Sequence, residues 1–251
     1  MLNHLSKSKN FIAFYLINFY IIIILIHLYS CFYHIEILRR PTKIFLIPTL
    51  ILIYHQITSF KNYSKYILNG LLFGFTGDAF LLCDTNSSLL IIGILSFLIG
   101  HCLYISLYIR EIGKKNFIKK NKIFVILCFF NLIIAYFVFL GIKEGISKRG
   151  IFHEATFYLF ILYIENSLSS FYLCIKKDKW SLINCLGTYF FWISDFILIR
   201  ELFYNDKYKE YFNFVVMLTY IIAQTFITIG MSQKKENKKM GIKEKKNIFV
   251  A

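Results

Sequence analysis

The sequence predicts an all-α fold, a polytopic transmembrane helical bundle of about eight spans, and three observations predict it. Apolar residues fill 57% of the 251 positions, and they come in blocks close to the ~20 residues a helix needs to cross the hydrocarbon of a bilayer. The stretches between blocks are too short for a soluble domain, so an active site has to lie between helices or at their ends. Two carboxylates, Asp78 and Asp195, interrupt the apolar blocks, where a charge is costly and therefore turned toward the bundle interior.

Span one covers 11–33 behind an amino tail, 1–10, that carries Lys7 and Lys9. Its apolar run is too long for a signal peptide and lacks a small-x-small cleavage site. Span two, 44–60, follows Arg39, Arg40 and Lys43 and holds Pro48, the one proline expected inside a span. Spans three (66–83) and four (88–109) are joined by a very short turn. Spans five (123–142), six (151–175), seven (181–199) and eight (212–232) complete a membrane domain over 11–232. The tail, 233–251, is basic and polar and reads as unstructured.

Orientation follows from charge. Of the 29 Lys and Arg residues, 20 fall on the tails and the loops after spans two, four and six, against 9 on the other loops. The positive-inside rule then places both termini in the cytoplasm. The membrane would be that of the endoplasmic reticulum in a eukaryote and the inner membrane in a bacterium. The net charge of +15 is concentrated in REIGKKNFIKKNK (110–122) and KKENKKMGIKEKK (234–246). Such clusters fit anionic cytoplasmic lipid as a partner. The tail lacks the interleaved aromatics of a nucleic-acid reader, so no nucleic-acid partner is expected. Cys31, Cys83, Cys102, Cys128, Cys174 and Cys185 stand singly inside spans and read as small hydrophobes, not disulfides or metal ligands.

The polar residues within the spans are the candidates for chemistry. Gly70 and Gly77 share a helical face with Asp78, and Gly187 and Ser194 with Asp195. Span four repeats the spacing with Gly93, Phe97, Gly100, His101, Tyr104 and Tyr108. Small residues let helices approach closely, so the polar groups of spans three, four and seven are expected to converge. Glu165 in span six is either a third acidic group or a plain polar contact, and Gln224 in span eight can bond a substrate or another helix. A lone aspartate can also simply join two helices, and His101 is open to a packing role. His27, His34, His55 and His153 are scattered in depth and read mostly as interfacial, and His153-Glu154 lacks the second histidine of a helical zinc-protease motif.

Taken in order, GLLFGFTGDAFLL, FLIGHCLY, GTYFFWISDFIL and TYIIAQTFI resemble four signatures of the YhhN family, the lysoplasmalogenases, and RRPTKIFLIPTL resembles the start of the family's second span. The resemblance covers about 40–230. Gly70, Gly77, Asp78, Gly93, Phe97, His101, Tyr104, Gly187, Phe191, Ser194, Asp195, Tyr220, Ala223 and Gln224 fall on the pattern, while Glu165 and Leu168 depart from it. The resemblance implies an ether hydrolase that cleaves the vinyl ether of a lysophospholipid, a lysoplasmalogen, to a fatty aldehyde and glycerophosphocholine or glycerophosphoethanolamine. That chemistry needs an acid to protonate carbon and an anion beside the oxocarbenium ion that forms. Two aspartates in one low-dielectric pocket can divide the roles, as paired carboxylates do in glycosidases. Which is the acid stays open. His101, Tyr104, Ser194, Gln224 and Glu165 are the supporting or substrate-binding candidates, and no metal or cofactor is expected. The alternatives are a proton-coupled membrane transporter, since membrane carboxylates form proton relays, and a metal-dependent lipid hydrolase of the ceramidase type, which needs several histidines at one depth.

Overall fold

Every apolar block becomes a helix in a computed structural model that describes residues 2–58, 64–82, 87–119, 121–148, 152–203 and 209–248. The long helices are α1 (Leu2–Phe32), α2 (Glu36–Thr58), α3 (Lys65–Leu81), α4 (Ser87–Ile112), α6 (Asn121–Lys148), α7 (Phe152–Lys176), α8 (Lys179–Phe203) and α9 (Lys209–Ile248). A short helix, α5 (Lys114–Lys119), lies in the basic segment between α4 and α6. No strand occurs among the described residues. Among the described residues six helices, α1, α4 and α6 to α9, are long and apolar enough to cross a membrane, which makes this an integral membrane protein. The other two explain why "about eight" is approximate. At 1.5 Å per residue α3, with 17 residues, is about 26 Å long, short of the ~30 Å hydrocarbon layer. The first turns of α2 carry Glu36, Arg39, Arg40 and Lys43.

Helix boundaries depart from the sequence expectation in three places. The amino tail is not separate from span one, because α1 runs from Leu2. Span two starts at Glu36, so Pro41 joins Pro48 inside the helix. Its first turns are supported by ion pairs from Glu36 to Arg39 (2.6 Å) and Arg40 (3.2 Å), at the i,i+3 and i,i+4 spacing that brings helical side chains together. Slight burial pushes the Glu36 carboxyl up, but the hydrogen bonds and charges of the two arginines hold it below its ordinary value. The basic tail, expected to be unstructured, continues α9 to Ile248. Its lysines and glutamates are good helix formers and no proline interrupts them. Elsewhere the chain stops where local chemistry says so. Gly113, with φ of +71°, ends α4, the left-handed position a glycine takes without strain. Asp178 caps α8 by accepting from the Ser181 N–H at 2.7 Å, and the Ser181 hydroxyl faces back to the Asp178 N–H at 3.3 Å.

Consecutive helices pack in pairs, α1 with α2, α3 with α4, α6 with α7 and α8 with α9, and α4 crosses to α7 while α9 also meets α1 and α2. Glycines set two of these contacts. A Cβ at Gly70 would lie 2.6 Å from Tyr104 and one at Gly77 2.7 Å from Phe97, so α3 and α4 approach only because both lack side chains. Gly187 does not turn toward α3 and α4 as the spacing suggested. Its Cβ would lie 3.0 Å from the Ile227 nitrogen, on α9. The glycine face of α8 thus serves α9, and the aspartates reach the interior by different routes. His27 is fully buried, with Nδ1 2.8 Å from Thr42 Oγ1, so it joins α1 to α2 instead of sitting at an interface. Among the described residues no disulfide forms between Cys31, Cys102, Cys128, Cys174 and Cys185, and Cys83 lies outside the described residues.

Candidate functional site

Asp78 stands three residues before the end of α3 and is 3% exposed. Both its carboxylate oxygens are engaged. Oδ1 lies 3.5 Å from the Lys43 ammonium on α2, and Oδ2 accepts from the Tyr220 hydroxyl on α9 at 2.7 Å. The network runs on: Gln224 Nε2 donates to the Tyr220 oxygen (3.4 Å), and Tyr104 on α4 donates to Gln224 Oε1 (3.0 Å). Tyr220 and Gln224 are four apart on α9, hence on one face. The result is a closed cluster linking α2, α3, α4 and α9, with a buried carboxylate facing a cation as a buried charge must.

Asp195, on α8, belongs to a second cluster. Its Oδ2 accepts from the Tyr158 hydroxyl of α7 at 2.9 Å and lies 3.6 Å from His101 Nε2. That imidazole nitrogen is 3.2 Å from the Tyr158 oxygen, and the other, Nδ1, is 2.6 Å from Glu165 Oε2. His101 is therefore bracketed by two carboxylates, and Tyr158 and Glu165, seven residues apart, reach it from one face of α7. Both contacts of Asp195 fall on Oδ2, which leaves Oδ1 to its surroundings.

Those surroundings are a cavity of about 250 Å³ between the start of α4, the start of α7 and the end of α8. Among the described residues of its wall, Asp195, Tyr158 and Glu154 carry the charged or hydroxyl side chains, and Phe97, Leu95, Ile91 and Leu198 are among the apolar ones. Ile91 and Leu95 are 56% and 50% exposed on the outer side of α4, so the cavity lies just beneath the lipid-facing surface. Asp78 does not line it. Among the described residues no hydrogen bond or ion pair joins the two aspartates. The clusters meet instead through rings: Phe191 lies 5.0 Å from His101 and 5.8 Å from Tyr220, and Phe97 lies 6.0 Å from Tyr220. The expectation of two aspartates in one pocket thus gives way to two adjoining clusters, because α3 hands its carboxylate to α2 and α9 while α8 presents its own to α4 and α7. Among the described residues no three His, Cys, Asp or Glu side chains are grouped to hold a metal ion.

The sequence profile of the YhhN family matches residues 38–231, most of the chain. The chain belongs to the YhhN family. This family is associated with hydrolase activity. No curated protein and no solved structure matches the chain.

Of the expected supporting residues in this YhhN chain, His101 and Glu165 join Asp195, and Tyr104 and Gln224 join Asp78. Ser194 joins neither, since its hydroxyl donates to the Val216 carbonyl of α9 at 3.2 Å. Three residues were missed as candidates: Lys43, Tyr158 and Tyr220. Tyr158 carries a usable signal, two turns from Glu165 on the same face. Tyr220 had one too, a turn before Gln224. Lys43 reads in sequence as a loop charge, and only the earlier start of α2 turns it inward.

Proposed function

We propose that the protein is a membrane lysoplasmalogenase, hydrolysing the vinyl ether bond of a lysoplasmalogen to a fatty aldehyde and glycerophosphocholine or glycerophosphoethanolamine. The observation that carries the reading is Asp195 in the wall of an apolar cavity just beneath the lipid-facing surface. A hydrocarbon chain fits such a lining, and a carboxyl there meets the chain where it joins the ether oxygen. Protonation of the carbon one bond from the ether carbon gives an oxocarbenium ion. Water captures it as a hemiacetal, which collapses to aldehyde and alcohol. The low-dielectric interior strengthens any charge interaction with that cation, and Asp78, behind Phe97 and Tyr220, supplies the second carboxylate. Written this way the reaction uses only side chains and water. The basic segment 110–122 and the basic end of α9 support cytoplasmic placement of both termini against anionic lipid.

The test is aldehyde release by purified protein from a lysoplasmalogen, with the ester-linked lysophospholipid of equal chain length as control. We expect aldehyde from the first and no cleavage of the second, and in heavy water one deuterium on the carbon next to the aldehyde. Equal cleavage of the ester would sink the vinyl-ether reading. Asp195→Asn and Asp78→Asn should each reduce turnover by a factor of about 10² to 10⁴, the range for a general acid or its electrostatic partner.

A further inference from the structure

The two carboxylates differ in one respect that bears on chemistry. Asp78 has both oxygens occupied, by Lys43 and Tyr220, whereas Asp195 is held by one oxygen and sits in a cavity wall. We propose that Asp195 delivers the proton to the vinyl carbon from Oδ1, and that Tyr158 is its positioning residue, holding Oδ2 by a hydrogen bond that strengthens as the carboxylate forms. The proposal rests on the lysoplasmalogenase reading and assigns the acid within it.

The step balances. The Oδ1–H bond of Asp195 breaks, the π electrons of the vinyl group form the new C–H bond, and an ether lone pair closes the oxocarbenium ion. Water adds to the cationic carbon, and its surplus proton returns to the Asp195 carboxylate. The hemiacetal hydroxyl then gives up its proton as the glycerol oxygen leaves and takes one, so the site is reset with no net change.

Tyr158 suits the role by geometry. Its O–H reaches Asp195 Oδ2 at 2.9 Å, and its ring shares the cavity wall with that residue. A bond to an ionised acceptor is shorter and about twice as strong as one to a neutral group, so this contact favours the state after proton transfer over the state before it. Behind it His101 Nε2 lies 3.2 Å from the phenol oxygen; with both ring nitrogens protonated, Nδ1–H donating to Glu165, the Nε2–H occupies that oxygen and leaves the phenol proton to Asp195. Glu165, 2.6 Å from Nδ1, fixes the ring in this orientation, as the carboxylate of a catalytic triad fixes its histidine. Glu165, His101 and Tyr158 thus form one line ending on Asp195, and all three are buried.

The experiment compares Tyr158→Phe, Glu165→Gln and the double variant of the full chain in lipid nanodiscs. Tyr158→Phe keeps the ring and removes only the hydroxyl. We expect its kcat to fall about tenfold to a hundredfold, the rate equivalent of one hydrogen bond to an ion, with KM within about twofold of wild type. Glu165→Gln should lower kcat as well, and the double variant should fall no further than Tyr158→Phe alone, because both act through one line. Unchanged kcat in Tyr158→Phe, a change in KM only, or multiplied effects in the double variant would each overturn the proposal. If Tyr158→Phe does not fold, Glu165→Gln decides alone: lowered kcat at constant KM supports the line, and wild-type kcat overturns it. A wild-type protein that releases no aldehyde overturns the hydrolase reading, and this assignment with it, whereas aldehyde from wild type with an insensitive Tyr158 overturns this assignment only.

Discussion

Asp78 and Asp195 look alike in sequence, each following a small residue and each eight positions after a glycine, yet the fold gives them opposite settings. Asp78 is shut into a cluster where an ammonium and a phenol take both its oxygens. Asp195 is held on one oxygen and turns toward an apolar cavity near the lipid. Equal burial costs in a membrane can therefore be met in two ways, by a full set of partners or by a partial set that leaves an atom for a substrate. The first way suits a fixed charge, and the second suits chemistry.

The largest expected effect separates the aspartates by stability. Lys43→Met strands the Asp78 carboxylate with only Tyr220, and breaking a buried pair in this manner costs about 3–5 kcal/mol. We expect a matching drop in thermal stability in detergent, largely recovered in the Lys43→Met/Asp78→Asn double variant, while Asp195→Asn changes stability by less than about 1 kcal/mol. A Lys43→Met protein as stable as wild type would erase the contrast.

Next in size is the close packing that holds the clusters side by side. Gly77→Ala drives a methyl to within 2.7 Å of Phe97, a ring in the cavity wall, and overpacking of this kind costs about 1–3 kcal/mol. It should perturb KM as well as stability. Gly187→Ala, which meets the backbone of Ile227, should destabilise comparably and leave KM alone. Parallel kinetics and melting curves check both, and identical KM effects would mean that Phe97 does not shape the cavity.

Ala155→Phe fills part of the cavity beside Asp195. Its effect belongs to binding: KM for a long-chain substrate should rise about tenfold and that for a short-chain one much less, a difference of about 1.4 kcal/mol. Chain-length independence would show that the hydrocarbon lies elsewhere. The smallest effect is expected at a bond that touches neither aspartate, where Tyr108 donates to Asn184 Oδ1 at 2.9 Å. Tyr108→Phe should cost about 1 kcal/mol of stability and leave kcat unchanged, so a lowered kcat there would extend the site well beyond the two clusters.

Much of the fold was legible, because hydrocarbon imposes so few solutions on a chain. The blocks of Ile, Leu and Phe could only be helices, and Asp78, Asp195 and His101 stood out as residues that lipid does not tolerate without partners. Tyr158 and Tyr220 were harder to see, since tyrosine is common throughout this chain, with 18 copies, and its presence in a span is cheap. Lys43 was hidden by a helix that begins about two turns sooner than hydropathy suggests, because ion pairs at its start are invisible to a hydropathy count. The helical tail was hidden for a similar reason, as a polar segment has no apolar periodicity to announce a helix.

The sequence by itself determined that the protein lives in a membrane, which blocks become helices, and which few polar residues need an explanation, for these follow from transfer free energies that act residue by residue. Only the tertiary structure decided which partner each polar residue receives. Partner choice depends on which faces of α2, α7 and α9 meet the aspartates, and that is fixed by glycine-permitted helix approaches and helix starts rather than by anything along the chain near Asp78 or Asp195.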